Sequence, residues 1–106
     1  MANTYVNAKV DLTATSVTTL YTCAASTTAI IKSIVVSEDS GNADTITLTL
    51  TNGSDVYSLF KTKSVSANST VELLTAPLVV QATEILKVTA ATANRLHVVA
   101  SILEIT

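Results

Sequence analysis

The chain predicts an all-β fold: one antiparallel β-sandwich, jelly-roll-like, of about eight strands in a single domain spanning residues 1–106. Three observations carry that expectation. Nineteen threonines sit among many valines and isoleucines, residues that are stiff at χ1 and suit a pleated surface. Apolar and polar residues alternate with a period of two, most cleanly through Thr45-Ile46-Thr47-Leu48-Thr49-Leu50-Thr51. Turn residues recur every ~8–12 residues, and no segment keeps a 3.6-residue period over two turns between helix caps.

In chain order, residues 5–12 alternate Val6, Ala8, Val10 and Leu12 against Tyr5, Asn7, Lys9 and Asp11, and residues 17–23 form a second short strand. Residues 28–37 place Ile30, Ile31, Ile34, Val35 and Val36 on both faces, as a central strand or a subunit contact does. Asp44–Asn52 and residues 56–63 form a hairpin, because Asn52-Gly53-Ser54-Asp55 tolerates positive φ. Residues 70–74 and 78–81 flank Pro77, which cannot donate to a ladder and marks an edge or a change of sheet. Residues 85–90 and 95–105 follow, joined by the small polar loop Ala91-Thr92-Ala93-Asn94. The expected inward set is Ile31, Val35, Ile46, Leu48, Leu50, Leu86, Val88, Val98 and Ala100.

Charge narrows the function classes. The charged fraction is 13%, about half the usual ~25%, which argues against disorder and coiled coils. A net charge of −2 lacks the basic footprint of a nucleic-acid binder, and Lys9, Lys32, Lys61, Lys63, Lys87 and Arg95 are scattered. The first residues carry neither a basic head nor an apolar core, so no secretory signal is expected and synthesis in the cytoplasm follows. Apolar runs such as Val98-Val99-Ala100 fall far short of the ~20 residues that span a bilayer, so no membrane partner is expected.

Candidate chemistry is sparse. His97 is the one histidine, which excludes His-rich zinc sites, and the sequence places no orienting carboxylate at a telling spacing from it. The loop 38–44, Glu38-Asp39-Ser40-Gly41-Asn42-Ala43-Asp44, carries oxygen ligands of the kind calcium takes, but its spacing is not that of a twelve-residue calcium loop; a solvated turn is the plainer reading. Tyr57 beside Ser58 could stack on a sugar ring, although a hairpin tyrosine more often packs across strands. Cys23, the one cysteine, reads as a small core residue. The expectation is therefore no enzyme, no catalytic residue, no cofactor and no metal.

From Thr19 to Val36 the chain reads Thr-Leu-Tyr-Thr-Cys-Ala-Ala-Ser-Thr-Thr-Ala-Ile-Ile-Lys-Ser-Ile-Val-Val, which resembles a segment common in small virion proteins of tailed phages. The likeness continues through Val71, Pro77 and Leu78, through Glu84-Ile85-Leu86-Lys87-Val88-Thr89-Ala90, and into Val98-Val99-Ala100-Ser101-Ile102-Leu103-Glu104. Ala24 stands where that pattern favours proline, and Thr83-Glu84 replaces a Gly-Asp turn. The resemblance implies a structural protein of the virion, first a capsid decoration or cement protein bound to the major capsid protein. The alternative it implies is a tail, neck or baseplate accessory, or a fibre-like module contacting host glycan.

An assembly role also follows from the last strand. Leu96, Val98, Ala100 and Ile102 can fill the sandwich, whereas Val99, Leu103 and Ile105 lie on the opposite face and are the expected subunit interface. Burying three such side chains is worth on the order of 1.5–3 kcal/mol each. A homo-oligomer follows from that reading; its symmetry does not, and a trimer is expected only for a decoration protein of the kind the resemblance implies. The competing account has residues 5–12 covering the second face of this strand.

Overall fold

A computed structural model describes residues 2–106. Nine strands make up the fold: β1 (Asn3–Asp11), β2 (Thr18–Thr22), β3 (Thr28–Glu38), β4 (Asp44–Asn52), β5 (Asp55–Val65), β6 (Thr70–Glu72), β7 (Leu78–Val80), β8 (Ile85–Ala90) and β9 (Leu96–Ile105). One sheet has the order β1-β9-β3-β6, with β7 also paired to β3, and the other has the order β2-β8-β4-β5; every pairing is antiparallel. Successive strands change sheet except at the β4–β5 hairpin and the β6–β7 pair, which is the winding of a jelly roll. Each of the nine segments read from the sequence contains a strand, one more than the round figure of eight, and the edge divided at Pro77 forms β6 and β7, each pairing a different half of β3.

The hairpin forms as the alternation requires. Asn52 pairs with Asp55 across a two-residue loop, and Gly53 takes φ +62 at its first position, where a residue with Cβ is disfavoured. The inner faces of both sheets supply the core: Ile31, Ile34 and Val36 from β3, Ile46 and Leu48 from β4, Leu86 and Val88 from β8, and Leu96, Val98, Ala100 and Ile102 from β9. Leu50 is partly buried against this cluster.

Two expectations change. Val35 does not face inward: the β3–β9 register slips between Ile31 and Ser33, so the extra residue Lys32 shifts the phase and turns Ile34 and Val36 into the core. Val35 consequently lies on the outer face, and the freed amide of Ile34 donates to Glu72 Oε2 at 2.8 Å. Nor does the amino-terminal segment cover the second face of the last strand. β1 pairs with β9 edge to edge along its whole length, from Asn3 opposite Ile105 to Asp11 opposite His97, and so widens the sheet.

Candidate functional site

Residues directly opposite one another on antiparallel strands share a face and stand ~5 Å apart, so the register converts into rows across the sheet. On the outer face of the five-stranded sheet, one row reads Tyr5, Leu103, Ile30, Val79 from β1 through β9 and β3 to β7. It is apolar from edge to edge. Two rows away the order is Lys9, Val99, Val35, Glu72, with charges only at the two rims. Between them lie Asn7, Ser101 and Ser33, with Lys32 beside them, and Ile105 closes the apolar end of β9.

Tyr5 is 74% exposed, Val79 52% and Val99 41%, while Leu103 and Ile105 are half-buried among their neighbours. The three residues expected at an interface, Val99, Leu103 and Ile105, thus share one outward surface. Tyr5, Ile30, Val35 and Val79 join them, a set that the sequence pattern left dispersed. The two-sided apolar character of residues 28–37 was the available signal for Ile30; pairing with β1 and β7 supplies the rest. Glu72 is tied to the rim: its carboxylate also accepts the Leu74 amide at 3.1 Å, and although burial pushes its pKa up, the Ser33 hydroxyl and the Ile34 and Leu74 amides hold it below the usual carboxylate range.

His97 lies at the end of this face. Its Nε2 stands 3.2 Å from Asp11 Oδ1 and its Nδ1 3.6 Å from Asp39 Oδ1, so the fold supplies the carboxylates that linear spacing did not reveal. Asp11, His97 and Ser37 form a row across β1, β9 and β3. General-base chemistry would need one imidazole nitrogen turned toward the serine, yet both nitrogens face carboxylates. The neighbouring hollow, of about 280 Å³ between Lys9, Val10, Asp11, His97, Val98 and Val99, is shallow and open.

Glu38 closes β3 and is 2% exposed. Its carboxylate accepts the amides of Ser40 at 2.8 Å, Gly41 at 3.1 Å and Asn68 at 3.0 Å, and the Ser40 hydroxyl as well. Burial alone would raise the carboxyl pKa, but these four donors outweigh it and hold it at about 2. The loop 38–44 is therefore organised around an anion already surrounded by donors, which is the reverse of a cation site. Among the described residues, no cluster of three or more His, Cys, Asp or Glu could hold a metal.

The remaining candidates lie apart from the apolar face. Tyr57, opposite Leu50 in the hairpin, is 55% exposed and packs across the strands less than expected. Cys23 is buried, donates to the Thr27 carbonyl at 3.3 Å, and has its thiol pKa raised by that burial. Tyr21 of the four-stranded sheet donates to Glu104 of the other, and burial together with that carboxylate raises its pKa strongly.

Together, the winding of the strands and the outward apolar rows define a jelly-roll domain with an apolar outer surface on its five-stranded sheet. No protein-family model matches this chain, and no curated protein matches it in sequence. It is similar in fold to a solved protein of Bacillus endospore appendages, described as a novel family of disulfide-linked pili. Identity is 17%, with 100% of this chain and 91% of that one covered at a TM-score of 0.54.

Proposed function

We propose that this chain is a structural assembly subunit, a virion protein of a tailed phage that works through subunit contacts and not through catalysis. Within the virion the reading favours a capsid decoration or cement protein seated on the major capsid protein. The observation that carries it is the outer face of the five-stranded sheet, where Tyr5, Leu103, Ile30 and Val79 cross the sheet without a polar break. Such continuous apolar surface on a soluble domain marks an interaction site. The resemblance of residues 19–36 to small phage virion proteins supports the phage context, and the fold it shares with a pilus protein supports assembly in general. The linkage named for that pilus finds poor footing at Cys23, whose thiol is buried.

Exposed Tyr57 favours a second reading, a tail or fibre module contacting host glycan. Co-sedimentation with purified phage heads and tails tests the first: saturable binding to heads is expected. A protein that leaves heads bare but shows saturable, Tyr57-dependent binding on a glycan array overturns it in favour of the second.

A further inference from the structure

We propose that two copies of this chain pair face to face through the outer surface of the five-stranded sheet, about a two-fold axis running along the strands between β9 and β3. The inference rests on the assembly reading above and names the partner of that surface as a second copy.

The charge pattern selects the partner and the axis. Rotation about a line parallel to the strands reverses strand order and keeps each row in place. Row by row, Tyr5 then meets the partner's β7 end of the same row, at the position of Val79, and Leu103 meets the position of Ile30. In the second row the Lys9 ammonium meets the rim where Glu72 stands, and Val99 meets the position of Val35. Because a two-fold contact is isologous, each match occurs twice, and both rim charges gain an opposite partner. The alternative axis, across the strands, superposes the two rows instead. It sets Lys9 against Tyr5 and Glu72 against Val79, leaving both charges on apolar neighbours, which is costly. A three-fold arrangement cannot use this match, since it does not bring a surface onto itself.

Area agrees. Ten residues of β9 at ~3.4 Å each and four strands abreast at ~4.8 Å spacing give a face of about 600 Å². Two such faces bury ~1,200 Å², the lower end of stable specific interfaces. Lys32, the one charge between the two rows, lies beside Asn7 and Ser101, where its ammonium can keep polar neighbours while its stem follows the apolar surface.

Sedimentation equilibrium on the full chain tests the pairing, with circular dichroism confirming that each variant is folded. The wild type is expected to be a dimer at tens of micromolar, and Val79→Asp or Lys9→Glu to weaken it by at least about tenfold. Val56→Asp, on the exposed outer side of the other sheet, is expected to change nothing. Packed sheets stand ~10 Å apart, so a short bismaleimide should link copies of the Tyr5→Cys, Val79→Cys double variant but not of Tyr5→Cys alone. A wild type that stays monomeric at ~100 μM overturns the proposal. So does a dimer indifferent to Val79→Asp and Lys9→Glu, or one in which Tyr5→Cys alone cross-links. A monomer that still binds phage heads ends this inference and keeps the assembly reading; a face-paired dimer that binds no particle does the opposite.

Discussion

The outer faces of the two sheets follow the same two-residue period and end in opposite chemistry. On the four-stranded sheet the outward rows bring Thr47 beside Thr89, Thr49 between Lys87 and Ser58, and Thr45 beside Ser64. Hydroxyls and an ammonium stay hydrated there, and the branched threonine methyl still suits the pleat. On the five-stranded sheet the same outward positions hold Leu103, Ile30, Val35 and Val99. Alternation therefore specifies which side of a strand enters the core, but the residues spent on the other side decide whether a sheet ends in water or in another protein.

The sharpest way to break the comparison is to attack what both sheets share. Leu48→Ala and Ile34→Ala remove fully buried side chains from opposite sheets and should each cost about 2–5 kcal/mol in urea unfolding. If either cost falls to the level of a surface change, the two sheets do not close on one core.

Acid should act through Glu38, which joins the β3–β4 and β5–β6 connections at one end of the sandwich. Its folded pKa of about 2 lies below the ordinary 4.5, so its stabilisation is complete above about pH 4.5 and is lost as pH falls toward 2. Unfolding followed between pH 6 and pH 2 should show that loss, and Glu38→Gln should be less stable at pH 6 with a flatter acid profile. An unchanged profile in Glu38→Gln would remove the carboxylate from that role.

A matched pair separates the outer faces. Val99→Asp and Thr89→Asp both place a charge at an outward position of a central strand, and both should leave the fold intact at a cost of up to about 1 kcal/mol. Only Val99→Asp should abolish self-association in light scattering. Unfolding by Val99→Asp would assign that residue to the core.

The smallest effect concerns Thr51, which the alternation placed outward and which is nonetheless buried, with its Oγ1 lacking a hydrogen-bond partner. Its row neighbours are Ile85 and Val56, the apolar exceptions on the hydroxyl face. Thr51→Val replaces an unsatisfied hydroxyl by a methyl and should raise stability by up to about 1 kcal/mol in thermal or urea melts.

Much of this architecture was legible from the residues. The perfect alternation of β4 announces its own faces, Asn52-Gly53 announces the hairpin, Pro77 the broken edge, and the two-sided runs of β3 and β9 the strands at the centre of the sheet. These are local signals, set by side-chain direction and by the φ that glycine and proline permit. Val99, Leu103 and Ile105 could be grouped as one face for the same reason.

Tertiary structure alone decided the rest. The bulge at Lys32 inserts a residue without changing composition, so strict alternation carried through it puts Val35 inside and Ile34 outside. The carboxylates around His97 come from the end of β1 and from the connection after β3, and the Asn68 amide on Glu38 comes from the β5–β6 connection, so no spacing within a strand foretells them. The continuous row from Tyr5 to Val79 exists because β1 and β7, more than sixty residues apart by the numbering of Tyr5 and Val79, flank the same pair of central strands. A strand's period is a property of its own backbone, whereas its register against another strand depends on which partner the whole chain brings alongside.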